Sequence, residues 1–599
     1  MTMMYDELVD DLREKYLKVR KMLDEPRDKH PEGPDCETKN EAISILKEMK
    51  IKLENFSNNS HEYELKITSM LAIVLLNIGI ILIDNEELKE AEENLMHCIE
   101  ILKNYELEPE CILIALSTLN QLGIIWFQWS EYEKAMAFVK KSESTYENFK
   151  CVKPTVEPIG MSQLFGIKNS DEPCPNHVLE KLHTLTLYYI AQIHGTSKDH
   201  EKAAFYCHMT LERQLEFDDL DYIDWALNAA TLSQLFMERK NFPQARHHLA
   251  ASSHILKLYE NSLTDENNEN DEVQSAKWEQ FRHRYSDVAR CWAKYGILLL
   301  SMSRDRLLEL ADNLDNEKPS VVNNDTKMIK DNSDIDLINN MSFKKLEEHI
   351  KPIAEQITDK YLLDFSDARL VFLNVQKWLD EAKKYYALNT HASDYVHIVQ
   401  DMSQAYKYLA FFEGNEDNQA KMHKRRIDIL EQVIGEINPR YYQSECRQIW
   451  IELAETFSAI LEIKLDKLRA TDDRPTPHAL TKINQMCRSS IKYYQMFLDS
   501  LKPNESAPAV KEFSDEMLRP ALLAYFHLGT LYNKLIMPDV NAQIDNVKKS
   551  IDAYNFFVEY CETHADAAEF MKIELSVCKD FAKLLPLKLS KLRRIVATP

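Results

Sequence analysis

Four times in the first half of the chain a small residue is followed twelve positions later by alanine: Gly79 and Ala91, Gly123 and Ala135, Ala191 and Ala203, Ser233 and Ala245. Each small residue follows an apolar one (Ile78, Leu122, Ile190, Leu232), and Leu95, Val139, Cys207 or Leu249 stands four beyond each alanine. This recurrence restricts the fold severely. Consecutive helices cross closely only where the facing side chains are small, and larger residues one turn away fill the space beside the crossing. Around these pairs apolar residues recur at i, i+3, i+4 and i+7 with little strand-like alternation, so the fold class is all-α.

The pattern is the skeleton of a tetratricopeptide-like hairpin, and such hairpins stack into an α-solenoid whose first helices line an extended concave surface. The steps from Gly79 to Gly123, Ala191 and Ser233 exceed the ideal period of about 34 residues. The helices are therefore extended, and the longest step contains a loop at Lys150–Pro175. Farther along, Tyr525, Leu528, Gly529 and Tyr532 repeat the first-helix pattern, with a partner helix expected over Val547–Tyr560. Periodic helices over Asp401–Phe412, Cys446–Leu468 and Lys482–Ser500 lack a clean small pair.

Breakers place the other loops at Asp24–Asn40, Glu260–Glu272, Asn313–Asn340, Thr471–His478 and Lys502–Pro508. Glu260–Glu272 and Asn313–Asn340 are rich in Asn, Asp and Glu, which bury too little to offset the entropy of ordering, and both are expected to be disordered. The second divides the chain into an N-terminal helical half at 1–312, an acidic linker at 313–342 and a C-terminal helical half at 343–599.

Chemistry is constrained by what the ten glycines cannot do. The closest two, Gly160 and Gly166, are six residues apart, whereas phosphate-cradling loops need closer or differently spaced glycines. The sequence also lacks HExxH, EF-hand and kinase catalytic-loop signatures. His247 and His248 are adjacent, so on a helix they point about 100° apart and read as surface histidines rather than ligands of one metal. Cys207 and His208 are adjacent in the same way. The reading is a non-enzymatic chain with no catalytic residues, metal, cofactor or small-molecule substrate; the alternative is an acid-base enzyme with a dispersed site, which would require a deep pocket with perturbed ionisable groups.

Lys plus Arg total 73 against 97 Asp plus Glu, a formal net charge of −24. Such a chain is a poor match for nucleic acid or anionic lipid; it suits a basic protein surface, or simply has a solvated acidic exterior. The eleven cysteines, from Cys36 to Cys578, include no CxxC pair and read as reduced thiols in helix cores, which points to a cytoplasmic protein. The start is acidic and amphipathic, unlike a signal or transit peptide. Met70–Ile83, interrupted by Asn77, reads as too short to insert in a membrane.

Several longer strings carry more specific information: NQLGIIW at Asn120–Trp126, NAATLSQ at Asn228–Gln234, ARCW at Ala289–Trp292, KMHKRRI at Lys421–Ile427, IKYYQMFLDSL at Ile491–Leu501 and LRPA at Leu518–Ala521. Together, from about Leu71 to near the C-terminus, they resemble the KIF-binding protein family, cytosolic regulators of kinesins. The resemblance implies a tetratricopeptide-like solenoid of two halves that embraces a kinesin motor domain. By holding the motor's microtubule-binding face, such a protein keeps kinesins off microtubules, with consequences for axonal transport, axonal microtubule organisation and neurite growth. It further implies a cytoplasmic, cytoskeleton-associated location. The alternative is a generic tetratricopeptide adaptor linking motors or chaperones to cargo, which would use a basic groove.

If Ala191 faces the second helix of its hairpin, Tyr189 and Gln192 share another face, and Asn228, Thr231 and Gln234 repeat the arrangement one hairpin later. These five residues are candidate partner contacts, with Gln214 a further one. The alternative is that Tyr189 is a core aromatic and the amides satisfy loop backbone. Lys421, His423, Lys424, Arg425 and Arg426 form the strongest basic cluster. Lys424, Arg425 and Arg426 are candidate contacts to an acidic patch on the partner; alternatively the cluster pairs with Glu413, Glu416 and Asp417 or is a solvated helix start. Lys583, Lys588, Lys591, Arg593 and Arg594 suit the negative end of a terminal helix dipole.

Overall fold

The computed structural model describes residues 2–24, 36–57, 64–167, 173–218, 220–265, 271–315, 341–470, 476–502 and 512–597. Among the described residues there are helices and no strand. They run α1 (Thr2–Asp24), α2 (Cys36–Ser57), α3 (Glu64–Asp84), α4 (Leu88–Leu102), α5 (Ile112–Gln128), α6 (Tyr132–Val152), α7 (Met161–Leu164), α8 (Pro175–Thr196), α9 (His200–Glu216), α10 (Tyr222–Glu238) and α11 (Phe242–Asp265). There follow α12 (Asp271–Asp315), α13 (Glu347–Ala354), α14 (Phe365–Tyr385), α15 (Ala392–Phe412), α16 (Glu416–Glu436), α17 (Gln443–Arg469), α18 (Pro477–Ser500), α19 (Asp515–Lys534), α20 (Val540–Thr563), α21 (Ala565–Phe570) and α22 (Lys572–Ala597). The fold is an all-α, tetratricopeptide-like solenoid of antiparallel hairpins, divided into two compact units. One comprises Met1–Tyr259 with Thr326–Lys351, the other Glu260–Asp325 with Pro352–Pro599.

In the first unit the repeat does what the sequence pattern requires at three of its four crossings; between α8 and α9 Ala191 is buried but Ala203 is only half-buried, and Ala204 beside it is the buried residue. A Cβ on Gly79 would lie 2.6 Å from Leu95 Cδ2, so α3 and α4 touch backbone to side chain at that level. Gly123 meets Val139 in the same way between α5 and α6. Ala91, Ala135, Ser233 and Ala245 are all fully buried. The turns that close these hairpins are equivalent too. Glu86, Ser130, Lys198 and Lys240 each have a φ near +60°, and each stands seven residues after the small residue of its hairpin. Glu86 N–H donates to Ile83 O at 3.0 Å and Glu87 N–H to Leu82 O at 2.9 Å, and the same two bonds recur at Ser130 and Glu131, Lys198 and Asp199, Lys240 and Asn241. These are left-handed helix caps that satisfy the last carbonyls of the first helix and reverse the chain.

Helix α3 is long and apolar enough to cross a membrane, longer than Met70–Ile83 alone indicates, and 72% of its apolar window is buried in the protein. It is the central helix of the first core, packed by Leu46, Leu95 and Ile114 among others. Residues 343–351, assigned by the sequence reading to the second half, pack in the first unit. Phe343 is fully buried against Trp225 and His208, and Lys345 Nζ donates to Leu215 O at 2.7 Å, satisfying a carbonyl at the end of α9.

In the second unit the 45-residue α12 packs along α14, where Trp292 stacks on Trp378 with ring centroids 5.0 Å apart and Gly296 lies against Val375. Helices α19 and α20 form the hairpin expected from Gly529: its Cβ position falls 2.7 Å from the Tyr554 ring, and Ser550 Oγ donates to Gly529 O at 2.6 Å. Of the expected loops, Glu260–Glu272 is shorter than read. Helix α11 continues to Asp265 because Leu263 is buried and its carbonyl accepts a bond from Gln274 Nε2, and α12 begins at Asp271. Residues 266–270 and 316–340, where disorder was expected, lie outside the described residues, as do 25–35, 168–172, 471–475 and 503–511. Cys98, Cys111, Cys446, Cys487, Cys561 and Cys578 are free and buried, while Cys151 and Cys174 are free and exposed.

Candidate partner-binding site

Helix α8 presents a buried and an open face in register with the sequence reading. Ile190, Ala191 and Ile193 are buried, whereas Gln192 is exposed and Tyr189 half-buried. Tyr189 leans on a small cluster that includes Val139 and Ile190, and burial pushes its phenol up to about 12. It is therefore partly a core aromatic, with one edge toward solvent. On α10, Thr231 and Gln234 are exposed and Asn228 is half-buried, so the three share one stripe, as spacing of three on a helix requires. Thr231 Oγ1 donates to Leu227 O at 2.9 Å, back-bonding to its own helix. Gln214, on the last turn of α9, is half-buried.

What holds the open face of α8 in place is a buried polar cluster behind it, which the sequence reading missed. Glu180 receives Arg213 Nη2 at 2.6 Å, Lys150 Nζ at 2.7 Å and Tyr146 Oη at 2.6 Å. These contacts tie α6, α8 and α9 together. His183 stacks on the Tyr146 ring at 3.7 Å between centroids and stays neutral, its pKa pushed down to about 3 by burial and by the Arg213 charge. The signal was present in the sequence: Glu180, His183, Thr184 and Thr186 lie on the helix face that its apolar neighbours bury, where unpaired polar groups are costly.

Of the two histidines read as surface groups, His248 is a core group and His247 is half-buried. His248 is fully buried, and its Nδ1 lies 2.8 Å from Gln244 O while its Nε2 lies 3.1 Å from His208 Nδ1. Since Gln244 O can only accept, His248 donates from Nδ1 and accepts from His208 at Nε2. His247 Nε2 accepts the Phe343 backbone N–H at 3.0 Å. The adjacent pair points apart as expected, but both rings point inward because the segment carrying Phe343 covers them. No cluster of metal-ligating side chains occurs among the described residues.

The basic run on α16 is split by burial. Lys424 and Arg425 are exposed, and Lys424 Nζ pairs with Asp428 at 2.9 Å. Arg426, expected among the partner contacts, is only 2% exposed. Its Nη2 lies 3.2 Å from Glu452 and its Nε donates to Ser403 Oγ at 3.0 Å. One hundred degrees per residue turns Arg426 toward α15 and α17, so it binds those helices together and is closed to a partner. Of the acidic residues offered as internal partners for this run, Asp417 pairs instead with Lys467 of α17.

The comparisons with known proteins bear on all of these helices. A family model described as KIF-1 binding protein C terminal matches residues 223–592. The KIF-binding protein of Gallus gallus is 34% identical over 588 residues, 97% of each chain. This chain belongs to the KIF-binding protein family. The KIF-binding protein of Drosophila melanogaster is 33% identical over 98% of each chain, and that of Homo sapiens 35% identical over 88% of this chain and 85% of its own. A solved structure named "Kinesin binding protein (KBP)" superposes with a TM-score of 0.62 at 29% identity, over 96% of this chain and 98% of that one. Family membership thus covers both units. The family model itself begins one residue into α10, so it includes Asn228, Thr231, Gln234, Lys424 and Arg425.

Proposed function

We propose that this chain binds kinesin motor domains and blocks their attachment to microtubules, and so acts in microtubule-based transport, axonal microtubule organisation and neurite growth from the cytoplasm and its cytoskeleton. The observation that carries the reading is the near-full-length identity to proteins named for binding KIFs. Electrostatics favour it. A motor face that docks on acidic tubulin is basic, and a chain of net charge −24 attracts such a face at long range. The contact surface is the polar stripe of α8 and α10, with Gln192, Thr231 and Gln234 as exposed contacts, Tyr189 as the aromatic anchor, and Asn228 and Gln214 beside them. Lys424 and Arg425 offer a second, cationic contact on α16. Arg426 contributes only by holding that helix.

The test is the affinity of purified motor domains for the full-length protein and for a variant carrying Gln192→Ala, Thr231→Ala, Gln234→Ala and Tyr189→Phe. The last change preserves the packing of the ring. Removing polar contacts at a desolvated centre commonly costs about 2 kcal/mol or more, so affinity should fall at least roughly tenfold. A variant with an unchanged circular dichroism spectrum and wild-type affinity would move the site off this stripe, and failure of every motor domain to bind the wild-type chain would end the reading.

A further inference from the structure

The final helix, α22, buries one face and leaves a second apolar face open. Cys578 and Leu585 are buried against the core formed with α20, where Tyr554 stacks on Phe581. Ile573, Val577, Leu584 and Leu587 point the other way and are 79%, 36%, 59% and 62% exposed. At 100° per residue the four fall within an arc of about 80°, centred well away from Cys578 and Leu585. Among the described residues no other helix covers this face.

The spacing of the open face is that of a helix-pairing seam. From Ile573 the positions 573, 577, 580, 584, 587 and 591 alternate steps of four and three residues, which keeps a narrow stripe aligned with one facing helix rather than with a broad sheet or core. Two of the six positions are Asp580 and Lys591, polar insertions of the kind that fix register in such pairs. Beside the leucines stand Lys583 and Lys588, both exposed, with Lys588 Nζ also donating to Asn533 Oδ1 at 2.6 Å. Helix α22 carries seven Lys and Arg against two Asp and Glu in a chain whose net charge is −24. Its field is thus opposite to that of the molecule. A second copy would set lysines against lysines, and an anionic membrane would be repelled by the rest of the chain.

We infer that the open face of α22 is a docking seam for one amphipathic helix of an acidic partner protein, packing through Val577, Leu584 and Leu587 with its carboxylates on Lys583 and Lys588. The site lies apart from the α8 and α10 stripe in sequence and belongs to a different unit. It is tested with the full-length protein and two fluorescent helical peptides of four heptads, both with leucine at a and d, one with glutamate and one with lysine at e and g. The acidic peptide should bind by anisotropy at least tenfold more tightly than the basic one. Leu584→Glu with Leu587→Glu should abolish that binding, and Lys583→Glu with Lys588→Glu should reverse the preference. Circular dichroism of both variants should match the wild type, because the changed residues are exposed. Equal binding of the two peptides, or acidic-peptide binding that survives the double leucine change, overturns the inference. Dimerisation of the wild type lost in the leucine variant, seen by sedimentation velocity, would overturn it in favour of self-association. Co-flotation with phosphatidylserine vesicles lost in that variant would overturn it in favour of a membrane surface.

Discussion

A Cβ placed on Gly123 would lie 2.5 Å from Val139 Cγ1, so the crossing of α5 and α6 has no room for a side chain at that position. Gly123→Ala should therefore destabilise the chain, by about 1–3 kcal/mol for an overpacked crossing. Adding Val139→Ala removes the obstructing methyls and should recover part of the loss. Urea melts of the single and double variants check this. A double variant no better than Gly123→Ala would mean that the glycine is required for something other than space.

Four non-glycine residues hold left-handed backbone at the hairpin turns, where a Cβ carries a steric cost. Lys198→Gly and Lys240→Gly should each raise stability by about 0.5–1 kcal/mol, the relief of strain exceeding the extra entropy of glycine in the unfolded chain. Thermal melting measures it. A lower midpoint in both would show that the lysine side chains hold the turns by contacts of their own.

Arg426 and Glu452 are a buried pair, and removing one partner leaves a charge without compensation. Arg426→Leu should cost about 3–5 kcal/mol, while Arg426→Leu with Glu452→Leu should be far milder, because two buried charges are removed together. The coupling is read from a double-mutant cycle in urea. Additive losses would contradict the pair.

Acid should loosen the first unit. Burial holds His208 and His247 at about 4 and His248 well below its ordinary value, so all three are neutral when folded and titrate near 6.5 when unfolded. Between those values the unfolded chain binds more protons, so this contribution to stability is complete above about 6.5 and falls as pH drops toward 4, by about 1.4 kcal/mol per unit per histidine. Melting temperature should be flat from pH 8 to 7 and decline from 6.5 to 5. A curve level down to 5 would place these rings in solvent.

The repeat was legible because its crossings depend on residue size, which a sequence states directly: Gly79 and Gly123 meet Leu95 and Val139, the side chains that spacing indicates, and Gly529 meets Tyr554 of the expected partner helix. The turns were not legible. Their left-handed positions hold Glu86, Ser130, Lys198 and Lys240 rather than glycine, so no residue type marked them. The exposed stripe was found on α10 by spacing alone, yet Arg426 was misplaced for a related reason. A run of charged residues on one helix must turn some of them inward, and charge does not say which. His247 and His248 were misread because their cover, Phe343, comes from a segment 96 residues away.

The central claim is that this protein and the microtubule compete for one face of the motor. It is tested most directly by co-sedimentation of a purified kinesin motor domain with microtubules while the full-length protein is titrated in. The account predicts that the motor moves from pellet to supernatant in complex with the protein, and that the amount of protein needed rises with microtubule concentration. A pellet that keeps all of its motor and gains the protein as well would contradict it, since that ternary complex is the signature of an adaptor rather than a competitor.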